Sequence, residues 1–154
     1  MSDEKTDLYL IGVDRLKQAA VAGGRKGHYL MDWEYPLVGG LYANAFQSFI
    51  LDESTKVKND RSARHFVWEK LLHAIPHRMI LTGDPNPHSQ LDIWGQMKIL
   101  DRGQLLGNNF WGFRLKWFTP GPAWKPYDWT ITTYKLRQLG ELLSTKIIRV
   151  LKPM

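Results

Sequence analysis

The sequence has no cysteine. That excludes disulfides, a thiol nucleophile and thiolate metal sites, and it agrees with a reducing cytoplasm. No apolar run approaches the roughly 20 residues of a membrane span, so no membrane partner is expected. The opening Met1-Ser-Asp-Glu-Lys-Thr-Asp7 lacks the basic start and apolar core of a secretion signal. The phosphate-cradling pattern Gly-x-x-x-x-Gly-Lys-Ser/Thr does not occur. Gly23-Gly-Arg-Lys-Gly27 superficially resembles it, but it lacks the Lys-Ser/Thr ending and follows an expected helix, so it reads as a flexible turn. Acidic residues thin out along the chain. Met1 to Leu100 carries 12 basic and 12 acidic residues, whereas Asp101 to Met154 carries 9 and 3. The whole net charge of +6 therefore falls in the last third, which suits either a polyanionic partner or a solvated surface.

With 154 residues, 44% of them hydrophobic and 23% charged, the chain has the composition of one globular domain with a real core. Leu8-Tyr-Leu-Ile-Gly-Val13 reads as a buried strand, and Asp14 is placed to cap a helix running through Ala22. Trp33, Tyr35 and Leu37 read as packing residues beside a short helix near Val38–Ala45. Phe46–Leu51 is the second expected strand and 52–60 a loop. Ala63, Phe66, Val67, Leu71 and Ala74 share one helical face that Pro76 ends. Arg78–Thr82 is the third strand, and two prolines and a glycine make 83–87 a loop. Ser89 is placed to cap a helix carrying Leu91, Trp94, Met97 and Leu100 inward, with Gly103 and Gly107 breaking the chain after it. Phe110–Phe118 reads as an aromatic helix, 120–126 as a loop and Trp129–Tyr134 as an extended piece. Leu136, Leu139, Leu143, Ile147 and Val150 form the stripe of a closing helix. Alternation of strand and helix predicts an α/β fold with a short parallel sheet and crossover helices, followed by a helical C-terminal part.

Two strands end in polar loops, Asp52-Glu53-Ser-Thr and Thr82-Gly83-Asp84-Pro. In a parallel sheet both ends lie on one edge, where ligands bind. Adjacent carboxylates at such an edge suit a divalent cation on the first and an attacking water on the second. The alternative is that Asp52 merely caps its loop. The histidines (His28, His65, His73, His77 and His88) are scattered, and the only close pair is split by Pro76, so no metal site is expected from them. Trp94, Phe110, Trp111, Phe113, Trp117, Phe118, Trp124 and Trp129 are interleaved with Arg102, Arg114, Lys116 and Lys125. Core packing is the leading reading of these aromatics, with base stacking or an exposed interface as alternatives. Lys56, Lys58 and Arg61 suit either a DNA backbone or a solvated loop.

These motifs resemble the second half of the first RecA-like lobe of Swi/Snf-type superfamily-two helicases, above all compact phage and bacterial DEAD-like members. The family's Walker B region, Asp-Glu-x-x-x-x-Lys-Asn, is matched by Asp52-Glu53-Ser-Thr-Lys-Val-Lys58-Asn59, and its Leu-Thr-Gly-Thr-Pro-x-x-Asn by Leu81-Thr82-Gly83-Asp84-Pro85-Asn-Pro-His88. Leu91-Asp-Ile-Trp-Gly-Gln96, Leu100-Asp-Arg-Gly103, Leu106-Gly107 and Trp117-Phe-Thr-Pro120 continue the likeness. The resemblance implies an ATP-driven motor on double-stranded DNA. It assigns Asp52 to Mg²⁺ on the nucleotide, Glu53 to the attacking water, and Thr82, Gly83 and Asp84 to coupling. DNA contacts would come from Lys56, Lys58, Asn59, Arg61, Arg114 and Lys116. It further implies one partial RecA-like, three-layer lobe over 1–154, with 101–154 a basic helical extension, in a bacterial or phage-infected cytoplasm.

The departures are equally specific. The histidine after Asp-Glu-x is Thr55 here, the second threonine of Thr-Gly-Thr is Asp84, and the later asparagine is His88. Without a phosphate cradle or second lobe, the chain is expected to hydrolyse ATP poorly by itself. Three readings follow: the metal- and water-holding part of a split motor, completed by a partner chain carrying the phosphate loop and the second lobe; a non-catalytic remnant that binds DNA or protein; or a plain globular protein whose resemblance reflects ancestry only.

Overall fold

The computed structural model describes residues 20–22, 29–31, 46–72 and 75–148. The expected strand Leu8–Val13, the Asp14 cap, the Gly23–Gly27 turn and the short helix near Val38–Ala45 lie outside the described residues. Strand β1 (Ala20–Ala22) pairs antiparallel with β2 (Tyr29–Met31), with Ala22 opposite Tyr29. The expected helix through Ala22 is thus corrected at its end. An Ala-Val-Ala triplet has too little pattern to choose a state, and pairing with a partner strand decides it. This hairpin lies against α1 (Ala63–Leu72).

The centre is a β–α–β crossover. Strand β3 (Ser48–Leu51) runs parallel to β4 (His77–Ile80), with Leu51 opposite Ile80, and α1 connects them. Between β3 and α1 a 3₁₀ turn spans Ser54–Val57. The α/β fold with a short parallel sheet is therefore present. Along each strand alternate residues point the same way. Leu51 is buried, Phe49 packs its ring 4.9 Å from Trp68 of α1, and Arg78 and Ile80 share that side. Ile50 and Met79, on the opposite side, are exposed.

Helix α2 (Asp92–Asp101) is the hub. Ile93, Trp94, Gly95, Gln96, Met97, Ile99 and Asp101 are all buried, because the helix meets α1, β4 and the 3₁₀ turn on one side and the C-terminal helices on the other. A helix covered this far round is expected to be apolar on most faces. Ser89 does not cap it directly. The Ser89 hydroxyl accepts the Leu91 N–H at 3.2 Å, shaping the turn that leads in. The helix ends at Arg102 in left-handed backbone, and Asp101 accepts the N–H groups of Gln104 and Leu105 at 3.1 and 3.0 Å. Gly103 and Gly107 both take positive φ, so these glycines break the chain as expected.

Helix α3 (Phe110–Trp117) is capped by Asn109, and α4 (Thr133–Ser144) by Thr132. Trp94, Met97, Phe113, Trp117, Phe118 and Leu139 form their shared core. The expected extended piece 129–134 shrinks to a single bridge between Thr119 and Thr130, because Thr132 already starts α4. The closing helix is also shorter than its stripe suggests: it ends at Ser144 and leaves Ile148 exposed. Among the described residues no helix is long and apolar enough to cross a membrane.

Two polar side chains, the half-buried Arg78 and the fully buried His65, bind this framework. Arg78 donates from Nε to Ile75 O at 3.0 Å, from Nη1 to Ile99 O at 2.9 Å and from Nη2 to Leu72 O. It so joins β4 to the ends of α1 and α2. Burial lowers its pKa to about 10, with Arg102 adding to the fall and Asp101 opposing it, and it stays charged at neutral pH. Arg78→Met takes this donor from the Ile75 and Ile99 carbonyls, while Leu72 O keeps the Ile75 N–H, and is expected to cost about 2 kcal/mol in a urea melt. His65 is fully buried and holds Nδ1 2.6 Å from Val57 O, so the neutral ring donates there. Burial pushes its pKa below 6.5, and Lys98 adds to the fall, against the opposing pull of the Val57 bond, Glu69 and Asp60. The unfolded chain then takes up the proton first. The contribution of His65 is complete above pH 6.5 and is lost as the pH falls below it. Urea midpoints from pH 8 to pH 5 should fall more steeply in the native chain than in His65→Gln, which keeps a donor for Val57 O but does not titrate.

Candidate functional site

The parallel register brings the carboxyl ends of β3 and β4 together. Leu81 N–H donates to Leu51 O at 2.8 Å, and Ser54 N–H donates to Leu81 O at 2.9 Å. The ladder therefore continues past both strands, and Asp52-Glu53 and Thr82-Gly83-Asp84 leave the sheet from the same edge. Asp52 and Glu53 are both exposed. Asp52 Oδ1 accepts the Glu53 N–H at 2.9 Å. Glu53 sits in left-handed backbone (φ 55°, ψ 53°), an uncommon place for a non-glycine residue with no asparagine-like side chain. Such backbone strain concentrates at functional sites. It turns the chain sharply out of β3 and starts the 3₁₀ turn.

The second loop is held by its own side chains. Thr82 Oγ1 donates to Asp84 O at 3.1 Å and accepts the Asp84 N–H at 3.3 Å, and Asp84 Oδ1 accepts the Asn86 N–H at 3.0 Å. Threonine and aspartate favour such local turns. A Cβ at Gly83 would meet nothing within 4 Å, so this glycine gives open space beside the edge.

The expected basic residues divide by what they touch. Lys58 Nζ lies 2.7 Å from Asp92 Oδ2 in a part-buried ion pair, tying the 3₁₀ turn to the start of α2. Asn59 Oδ1 accepts the Arg61 N–H at 3.0 Å. Lys56 and Arg61 are exposed. Arg114 stacks its guanidinium 3.8 Å from the Trp111 ring and 4.1 Å from the Trp129 ring. Lys116 is exposed, and its carbonyl accepts from Lys135 Nζ at 2.8 Å. The aromatic cluster divides likewise. Trp94, Phe113, Trp117 and Phe118 are core, whereas Trp111 is 52% and Trp124 81% exposed.

Sequence reasoning placed Gln96 within the family likeness but gave it no role. It is fully buried, and its Oε1 accepts from Ser54 Oγ at 2.6 Å. Its Nε2 donates to Pro85 O at 2.7 Å and Asp92 O at 3.1 Å. The signal available was a glutamine at a position of α2 where apolar residues flank it on both sides. Gly95 is the other such residue, since there α2 presses directly on the Lys58 carbonyl.

Among the described residues no group of three or more His, Asp or Glu gathers as a metal site. The acid pair fits a cation of the kind that arrives with phosphates and keeps several waters, rather than one caged by protein. Two basic clefts, both lined by Arg78 and Arg102, lie toward the opposite end of β4 and include neither Asp52 nor Glu53.

A short parallel crossover unit followed by packed helices is the architecture of a partial α/β RecA-like lobe. Residues 40–153 match the SNF2-related domain, and the chain belongs to that family. It is 32% identical over 105 residues to protein p41 of Acyrthosiphon pisum secondary endosymbiont phage 1, covering 62% of this chain and 22% of that protein. It is 33% identical over 115 residues to the helicase swr1 of Schizosaccharomyces pombe, covering 70% of this chain and 8% of that protein. The chain thus spans less than a quarter of the length of either relative. No solved structure matches it.

Proposed function

We propose that this chain supplies the metal- and water-positioning carboxylates of a Swi/Snf-type, ATP-driven motor on double-stranded DNA. The observation that carries this reading is the shared edge: Asp52-Glu53 and Thr82-Gly83-Asp84 leave two parallel, hydrogen-bonded strands side by side. Mg²⁺ bound there would neutralise charge on the β- and γ-phosphates of ATP. Asp52 would hold that ion, with its Oδ1 already oriented by the Glu53 N–H. Glu53 would orient a water and accept its proton as the water oxygen bonds to the γ-phosphorus and the bond to the β–γ bridging oxygen breaks. Thr82, Gly83 and Asp84 would pass the nucleotide state onward. Lys56, Asn59 and Arg61 would face the DNA backbone, with Lys58 holding the turn to α2. Arg114 and Lys116 would add to a basic surface on the C-terminal part.

The phosphate grip must come from outside these 154 residues, since they contain no Gly-x-x-x-x-Gly-Lys-Ser/Thr. Purified alone, the chain is expected to hydrolyse ATP at near-background rate. Turnover should appear when polypeptides carrying the phosphate loop and the second lobe are supplied, and should stimulate with duplex DNA. Robust Mg²⁺-dependent turnover by the chain alone would overturn the dependence on an outside grip. Absence of turnover in the complete mixture would overturn the catalytic reading. A second reading then stands, a non-catalytic module binding DNA or protein, and the exposed Trp124 and Tyr127 beside Lys125 favour it. Its mark is DNA affinity that falls steeply with salt in the absence of nucleotide.

A further inference from the structure

Helix α2 grips both loops of the candidate site from one face. Asp92 and Gln96 are four residues apart and so lie one above the other on the helix. Asp92 Oδ2 takes Lys58 Nζ from the first loop at 2.7 Å and the His88 N–H from the second at 3.2 Å. Gln96 takes the Ser54 hydroxyl from the first and gives its amide N–H groups to Pro85 O of the second and to Asp92 O. The two bridges differ in stiffness. The Asp92 pair is partly exposed, where water screens it. Gln96 and Ser54 are both fully buried, and both amide hydrogens of Gln96 are committed. Pro85 has no N–H, so its carbonyl is the backbone group through which this residue can hold the helix.

We propose that Gln96 is a positioning residue that couples the Asp52-Glu53 turn to the Thr82–Pro85 loop. The inference rests on reading these loops as two parts of one nucleotide site. The carboxamide is planar and rigid. A displacement of Ser54 that draws Oε1 with it must rotate Nε2 away from Pro85 O. Backbone bonds from Leu81 N–H to Leu51 O and from Ser54 N–H to Leu81 O join the loops at their root, and among the described residues the side chains of Asp52, Thr82 and Asp84 bond within their own loop. Gln96 is therefore a buried side-chain route by which a change at the acid pair reaches the second loop. A leucine or methionine there would fill the space and transmit nothing.

Residue-resolved hydrogen exchange on the full chain without nucleotide tests this. Ser54→Ala deletes one hydroxyl in the first loop. It is expected to speed exchange about fivefold at the hydrogen-bonded amides of Asp84, Asn86 and His88, in the other loop, as suits the loss of one ordinary hydrogen bond. Gln96→Met should speed exchange in both loops, and adding Ser54→Ala to it should produce no further change at Asp84, Asn86 and His88. Amides of α4 should stay within about twofold throughout, which separates coupling from general loosening. If Ser54→Ala leaves the second loop unchanged while loosening residues 54–58, the network is local and the inference fails. That arm decides the matter even where Gln96→Met does not fold. Coupled exchange with no turnover in the complete mixture would leave this inference standing and remove the proposed function. Turnover with uncoupled exchange would do the reverse.

Discussion

Glu53→Gln is expected to lower ATP turnover of the completed motor by roughly 10²- to 10⁴-fold, the range associated with loss of a positioned general base. The substitution keeps side-chain length and shape and leaves the residue in the same left-handed backbone, so the turn out of β3 persists. What it removes is the negative charge that orients the water and takes its proton. Because Glu53 is exposed and its backbone N–H, which binds Asp52 Oδ1, is retained, the urea midpoint should not move. Binding of ATP, measured by fluorescence of a labelled nucleotide, should survive. Asp52 calls for a different choice of variant. Asp52→Ala would delete the acceptor of the Glu53 N–H and disturb both residues. Asp52→Asn keeps that acceptor and weakens only the hold on the cation, so its defect should shrink as Mg²⁺ is raised. A Glu53→Gln chain that turns over ATP within a few-fold of the native one would remove Glu53 from the chemistry.

Gly95→Ala is expected to destabilise the fold by about 3 kcal/mol or more, at the upper end of what overpacking costs. A Cβ at position 95 would overlap the Lys58 carbonyl, reaching 2.7 Å from its carbon. The obstacle is backbone rather than a movable side chain. Lys58 is itself pinned by its bond to Asp92, by the 3₁₀ turn before it, and by the buried Ser54–Gln96 bond nearby. Helix α2 would have to withdraw from the turn, opening the Gln96 bridge and the packing of Trp94 and Met97 behind it. Gly140 supplies the control. It lies within α4, where a Cβ would meet nothing within 4 Å. Gly140→Ala should stabilise by about 0.5–1 kcal/mol through helix propensity and a less flexible unfolded chain. Opposite signs for one substitution at two helical glycines, read from urea midpoints, would establish close approach as the cause. Equal effects would sink it.

Much of the architecture was legible because it is local. The Phe49–Leu51 and Met79–Leu81 runs are apolar and each is followed by polar turn residues. Val67, Trp94, Met97, Phe113 and Leu139 fall at helical spacing, and all five are buried. The turns at Gly103 and Gly107 needed glycine and had it. Misreadings arose where a few residues carried no pattern. Ala20–Ala22 is strand only because Tyr29–Met31 pairs with it. The apolar stripe through Ile147 outlasts its helix because hydrophobic spacing does not register a helix end. His65 was one scattered histidine in the sequence, and its burial beside Val57 O is a property of packing.

The sequence by itself determined the acid pair, the Thr-Gly-Asp-Pro loop, the strands that precede them and the absence of a phosphate cradle. Each of these is a matter of residue identity over a few neighbouring positions. Tertiary structure alone decided which groups are engaged. It committed Lys58 to Asp92, stacked Arg114 between two tryptophans, and made Gly95 and Gln96 the points where α2 meets the site loops. Hydrogen bonds and close approaches between residues as distant in sequence as Ser54 and Gln96 leave no periodic trace. They exist only once the parallel register of β3 and β4 has set both loops on one edge and α2 has packed beneath them.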